Sequence, residues 1–283
     1  MITLKNHMFS LTINPLGAEW TSWKNNWTNQ EYLFQKNPDS WMRQAPLLFP
    51  IVGRLLDNRY QYRDQFYDLS QHGFLRDMTF EVLLTSPHLA VLEASFDEET
   101  LKKYPFKFKV IVSYHLINNQ VRTTLEVFNL DEKDMYFNIG GHPAFNLTPN
   151  RKNRLKFKGK NLGRFLLNGP YIEDYQTVSK KRFMVDEIDL PSTLIIDNAK
   201  SVKLKSKYYN LSLTMKPKQA IGIWAPVNQK SQKVESMIAI EPWWGMADCQ
   251  DHNQNLEDKK AVMQLAPGQS KIFEFTFKIK PKL

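Results

Sequence analysis

The stretch Phe106-Lys107-Phe108-Lys109-Val110-Ile111-Val112-Ser113-Tyr114-His115-Leu116 decides the fold class. Its even-numbered positions are all apolar or aromatic, and Lys107, Lys109, Ser113 and His115 fall among the odd ones. A period of two sends alternate side chains to opposite faces, so the stretch reads as a long strand with one face buried. Asn118-Asn119 supplies a turn and Val121 to Phe128 a returning partner. Asp131-Glu132-Lys133 marks a second turn into Met135 to Ile139, which predicts a three-strand meander ending at Gly140.

Upstream, Phe9, Leu11 and Ile13 alternate with polar residues before the turn Pro15-Leu16-Gly17, and Ala18 to Trp23 completes an opening hairpin. Ala45-Pro46-Leu47-Leu48-Phe49-Pro50-Ile51-Val52-Gly53-Arg54 is too short for a helix and too interrupted for a regular strand; it reads as a buried crossing segment ending on an arginine. Arg59 to Leu69 is a hairpin about Arg63-Asp64-Gln65, and two further strands flank Ser86-Pro87. Asp97 to Lys103, with acids leading and lysines trailing, predicts a short helix. Downstream, β-leaning segments lie around Phe165 to Leu167 and Val202 to Leu213. Two buried-strand patterns, Ile221 to Pro226 and Met237 to Gly245, each close on a proline and a tryptophan. Phe273, Phe275, Phe277 and Ile279 end the chain on a strand. No long 3.6-residue period, repeat or linker interrupts this pattern, so the expectation is one all-β domain over 1–283, built as a large β-sandwich.

The chain has 283 residues, 42% hydrophobic and 13% aromatic, which is ample for a packed core and excludes a disordered chain. Cys249 is the single cysteine, so an intrachain disulfide and a thiolate-rich zinc site are both excluded, as suits a reducing cytoplasm. No apolar run approaches membrane-spanning length and the first residues lack a signal-like apolar segment, which predicts a cytoplasmic protein without a membrane partner. The formal charge of +9 would suit an anionic partner such as nucleic acid or a sugar phosphate, but the lysines are spread along the whole chain. The expectation is a generic basic surface and no nucleic-acid partner.

Gly140-Gly141-His142-Pro143-Ala144-Phe145-Asn146 holds a histidine between residues that fix the backbone. His142 is then either a stiffly aimed acid or base or a hydrogen-bonded structural histidine, with Phe145 as an apolar wall and Asn146 as a polar contact in the first case. Glu241 ends the apolar run Met237-Ile238-Ala239-Ile240 and precedes Pro242-Trp243-Trp244. Desolvation there would raise its pKa and make it a better base; alternatively it tips into solvent or pairs with an arginine. His72 in Gln71-His72-Gly73-Phe74 has the same two readings as His142. Arg54 and Arg76 could grip hydroxyls or a phosphate, or pair with Asp57 or Asp77. Trp224, Trp243 and Trp244 are candidates to stack on a sugar, with at least one of them core. The six histidines show no His-x-His or His-x-x-x-His spacing, so no metal site is expected, and neither a phosphate-binding loop nor a Gly-x-Ser-x-Gly elbow occurs.

In combination and order, Ala45 to Arg54, Gln71 to Asp77, Tyr104-Pro105-Phe106, Gly140 to Asn146 and Glu241-Pro242-Trp243-Trp244-Gly245-Met246-Ala247-Asp248 resemble the aldose 1-epimerase (galactose mutarotase-like) superfamily, in its LacX-type branch. The resemblance covers nearly the whole chain. It implies a large β-sandwich with a sugar cleft, Glu241 as general base, His142 as general acid and His72 as a holder of the sugar's hydroxyls and ring oxygen. Asp197 is the nearest match to a further aspartate of the family, whereas Asn58-Arg59 matches its Asn-Arg pair only in a shifted register. Arg43, Arg54 and Arg76 would serve the phosphate of a hexose phosphate, as in the phosphate-specific members. The implied activity is cofactor-free interconversion of sugar anomers by a monomer or homodimer. The alternative is a non-catalytic carbohydrate-binding or sensing protein using the same cleft.

Overall fold

The computed structural model describes residues 1–148, 152–188, 192–228, 233–234 and 236–282. Its centre is one large antiparallel sheet. Along its main path the neighbours run Tyr171–Thr177, Gly163–Asn168, Leu194–Lys205, Tyr209–Trp224, Ser270–Pro281, Gln120–Asn129, Phe108–Ile117, Leu89–Ser95 and Glu81–Thr85. The deciding stretch forms Phe108–Ile117 with strict alternation: Phe108, Val110, Val112, Tyr114 and Leu116 are buried and the residues between them are not. Phe273, Phe275, Phe277 and Ile279 of Ser270–Pro281 join the same core. A separate three-stranded sheet, Ile2–Lys5, Phe9–Asn14 and Glu19–Asn25, contributes Leu11, Ile13, Trp20 and Trp23 to that core, with Trp20 edge-on to Tyr114 and Phe277. This is the expected all-β sandwich.

The predicted hairpins form, and Arg63 and Asp64 at the tip of Arg59–Tyr62/Gln65–Asp68 both take positive φ, as a tight two-residue turn of the primed type requires. The helix Glu98–Lys103 is capped by Asp97, whose carboxylate accepts from Thr100 N at 2.7 Å. The meander is different from expectation. Gln120–Asn129 is already flanked by Phe108–Ile117 and Ser270–Pro281, so Met135–Phe137 finds no free edge there and pairs with Met263–Leu265 instead.

That departure positions the glycine-rich heptapeptide. It continues as two short strands, Ile139–Gly141 and Ala144–Asn146, that both pair with Met237–Trp244. Gly140 faces Trp243 and Ala144 faces Ala239, so one register runs through the break and sets His142 opposite Glu241. Pro143 and Pro242 carry no N–H, which interrupts the ladder at this point. On the outer side, His142 N donates to Pro46 O at 2.9 Å, tying the break to the Ala45 to Arg54 segment.

Phe145 is corrected by the same period of two. His142 and Ala144 share a face, so Phe145 points to the other one, fully buried with its ring 5.0 Å from that of Phe277. It is core, not a wall of the site. Asn146 is likewise structural, donating to Glu31 O and Leu33 O. The tryptophan pair divides by alternation too: Trp244 is in the core, donating to Pro217 O at 2.7 Å, and Trp243 faces the opposite side.

Candidate active site

A cavity of about 480 Å³ opens on the face of the sheet that carries Glu241 and Trp243. That volume is in the range of small-molecule sites. The register builds its floor: Ile195, Gly222 and Glu241 lie in a row across three strands, and His142 extends the row. Directly opposed residues have Cβ atoms about 5 Å apart, which lets two long side chains meet. His142 Nε2 is accordingly 3.2 Å from Glu241 Oε2. Gly222 leaves room for the Trp243 ring, since a Cβ there would stand 3.1 Å from it.

Glu241 is 1% exposed, and its Oε2 also accepts from Trp243 Nε1 at 3.1 Å, while Oε1 has no protein partner. Burial drives its pKa well above the usual carboxylate range, against the smaller pull of the Trp243 hydrogen bond. Burial pushes His142 down to about 3. Both directions favour the uncharged forms, so the resting pair is a carboxylic acid beside a neutral imidazole. The imidazole is held by Trp41 at 4.9 Å between ring centroids, Trp224 at 5.8 Å and His72 at 5.6 Å.

His72 takes φ +67°, and the following Gly73 takes φ +69° where a Cβ would stand 2.2 Å from Phe49 O; only glycine fits. This tight turn points the His72 ring into the cavity. Gly53 N donates to His72 Nδ1 at 3.1 Å, and His72 N donates to Gly53 O at 2.9 Å. With Nδ1 accepting, the proton of the neutral ring sits on Nε2, which becomes a donor. The 3.4 Å approach of Gln71 Nε2 to His72 Nε2 then brings two donors together and is not a hydrogen bond. Burial, with help from His142, Arg76 and Arg54, keeps the His72 pKa well below its usual value.

Arg54 and Arg76 line the cavity, and the Nε of each is buried without a hydrogen bond. Arg54 Nη2 donates to Gln71 Oε1 at 3.3 Å and Arg76 Nη2 to Gln71 O at 2.7 Å. Of the alternatives open in the sequence, Arg54 forms no ion pair among the described residues, and Arg76 keeps only a long contact of 3.9 Å to Asp77. Arg43 takes that carboxylate at 2.7 Å and is not among the lining residues. Asp197 shares the sheet face with Glu241, but its carboxylate accepts from Tyr175 Oη at 3.1 Å and it does not line the cavity. Arg59 is on the surface, 3.3 Å from Asp68. Ser40 and Trp41, from a loop outside every motif, Gln71, inside the His72 motif, and Leu167, on the strand Gly163–Asn168, also line the cavity without having been candidates in the sequence. Among the described residues, no three His, Cys, Asp or Glu side chains gather as a metal site.

A carboxyl and an imidazole in direct contact, a donor histidine and two guanidiniums thus surround one cleft of an all-β sandwich. The chain belongs to the aldose 1-epimerase family, whose model matches residues 1–278. It is 28% identical over 306 residues to the plasmid-encoded protein LacX of Lactococcus lactis subsp. lactis, covering 94% of this chain and 95% of that one. A galactose mutarotase related enzyme from Lactobacillus acidophilus superposes with a TM-score of 0.91 at 31% identity, with 99% of both chains covered. A galactose mutarotase-like protein from Lactobacillus casei superposes at 0.92 with 28% identity, covering 99% of this chain and 100% of that one.

Proposed function

We propose that this protein is a mutarotase that interconverts the α and β anomers of a hexose or hexose phosphate by acid–base ring opening and reclosure. The observation that carries the proposal is the register-opposed Glu241–His142 pair, in contact at 3.2 Å on the cavity floor. Ring opening removes a proton from the anomeric hydroxyl and delivers one to the ring oxygen. Glu241 as the carboxylate takes the first and His142 as the imidazolium supplies the second. The products are a carboxylic acid and a neutral imidazole, which are the resting forms that burial favours. Rotation about one C–C bond of the open aldehyde and the reverse transfers, now with Glu241 as acid and His142 as base, give the other anomer. Reclosure thereby restores the carboxylate and imidazolium, and the direct contact lets the proton pass between His142 and Glu241 to interconvert this form and the neutral resting pair without bulk water. His72 Nε2–H donates to a sugar oxygen.

Two guanidiniums on the cavity wall, Arg54 without an ion pair among the described residues and Arg76 with only a long one, favour a substrate with an anionic substituent. Two-dimensional exchange NMR between anomers, run with glucose, galactose and their 6-phosphates, tests the proposal. Acceleration over buffer is expected, and no acceleration with any of the four would refute it. Arg54→Met should raise KM for a 6-phosphate roughly tenfold or more and leave the free sugar little changed. Equal effects on both would remove the phosphate from the proposal.

A further inference from the structure

The lysines that are scattered in the sequence are gathered by the sheet. Arg182, Lys156 and Lys203 are direct neighbours on three adjacent strands, Arg182–Met184, Arg154–Lys158 and Leu194–Lys205. One row along, Arg154 faces Lys205. Both rows cross Tyr209–Trp224 at small polar residues, Ser212 and Asn210, and reach Lys278 and Lys280 on Ser270–Pro281. Directly opposed residues share a face. These seven cations therefore stand on one side of five consecutive strands, and all are exposed. Strand geometry spaces them roughly 7 Å apart along a strand and about 5 Å between neighbouring strands.

None of the seven has an ion pair among the described residues. Glu274, on the same strand as Lys278 and Lys280, is already engaged, 3.8 Å from Arg122. So many like charges held together repel one another, with no ion pair among the described residues to relieve them. The face is broad and Lys/Arg-rich, without an aromatic ring at these positions to stack a base and without a projecting element to enter a groove. That character fits a planar array of negative headgroups better than a nucleic acid.

We infer that the face formed by Arg154, Lys156, Arg182, Lys203, Lys205, Lys278 and Lys280 docks the protein reversibly on an anionic lipid bilayer surface. No helix among the described residues is long and apolar enough to cross a membrane, so the contact is adsorption through charge. Each cation near such a surface strengthens partition roughly fivefold, so removing four weakens it by several-hundred-fold, on the order of 10² to 10³.

The test is co-sedimentation of the full chain with vesicles of phosphatidylcholine alone or of phosphatidylcholine mixed with phosphatidylserine, at low and high salt. The wild type should bind only the mixed vesicles and should be released by salt. Lys156→Gln, Arg182→Gln, Lys203→Gln and Lys278→Gln combined should lose binding by the factor above. The charge-matched combination Lys5→Gln, Lys36→Gln, Lys103→Gln and Lys107→Gln, away from the face, should keep most of it. Should the first variant not fold, Arg154→Gln, Lys205→Gln and Lys280→Gln serve as a second set, with a loss of roughly a hundredfold. Equal binding to both vesicle types overturns the inference, as does equal loss in the face and control variants, which would mean net charge alone is at work. Tighter binding of mixed-sequence duplex DNA or RNA than of phosphatidylserine vesicles, at the same salt and per phosphate, overturns it in favour of nucleic acid.

Discussion

Replacing Asp248 with asparagine tests how the cleft is held in shape. Asp248 is 1% exposed and Lys259 is 3% exposed. Lys259 Nζ bonds Asp248 Oδ1 at 2.7 Å and Met246 O at 2.6 Å, and Asp248 Oδ2 accepts from Leu56 N at 2.8 Å. Asp248 N donates to Arg54 O at 3.0 Å, so this buried knot ties the strand-end residues Met246 to Asp248 to the segment that carries Arg54. Burial by itself would raise the Asp248 pKa. The His252 hydrogen bond, the Lys259 charge and the Leu56 N–H outweigh it and leave the carboxyl at about 2, against an ordinary 3.8. This folded pKa is depressed, so the contribution is present above the ordinary value and is lost as pH falls toward 2. It amounts to about 2 kcal/mol at neutral pH, and about half remains at pH 3.

Asp248→Asn keeps an acceptor for Leu56 N but strands the buried Lys259, so the expected loss is about 3–5 kcal/mol at neutral pH. Loss of a proton from Lys259, whose pKa burial already lowers, sets the lower end of that range. Urea unfolding at pH 7 and pH 3 should show the difference between wild type and variant shrinking by about 1 kcal/mol at the lower pH. The double variant Asp248→Asn/Lys259→Met should be less destabilised than the sum of the single ones. A loss under about 1 kcal/mol that is the same at both pH values would refute the reasoning.

Phe145→Ala should destabilise by about 3–5 kcal/mol, read by urea unfolding, while KM for the sugar stays at the wild-type value because the ring never reaches the cleft. Gly73→Ala combines a positive φ with a Cβ only 2.2 Å from Phe49 O, and should cost at least about 2 kcal/mol and raise KM by misplacing His72. The pH profile of kcat/KM should lack a limb near 6.5, the ordinary histidine value. Its acid limb should lie near 3, where His142 protonates, and its basic limb well above 4.5, where Glu241 ionises.

Strands with one wet face were legible because alternation is a local signal, as in Phe108–Ile117 and Ser270–Pro281. The turn at Arg63-Asp64 and the short helix after Asp97 were legible for the same reason. Pairing was not, because partners distant in sequence leave no local mark: Met135–Phe137 joins Met263–Leu265, and Lys156 meets Lys203 and Arg182. Glu241, His142 and His72 were marked by Gly and Pro neighbours that fix a backbone. Their meeting rests on a register that joins residues 142 and 241 across the sheet. Phe145 departs from the expected cleft wall because a strand sends adjacent residues to opposite faces, so it packs in the core. Trp41 and Gln71 come from irregular loops, where no periodicity indicates which way a side chain points.

The central claim is that Glu241 and His142 exchange protons with a sugar. Anomer exchange measured by NMR on wild type and Glu241→Gln tests it most directly. The amide retains the size of the side chain and can accept from Trp243 Nε1 but cannot take or give the proton, so the exchange rate should fall by about 10²–10⁴-fold with thermal stability and sugar binding largely kept. A variant that binds sugar and exchanges anomers within about threefold of wild type would contradict the claim, since such a change lies far below the general acid–base range.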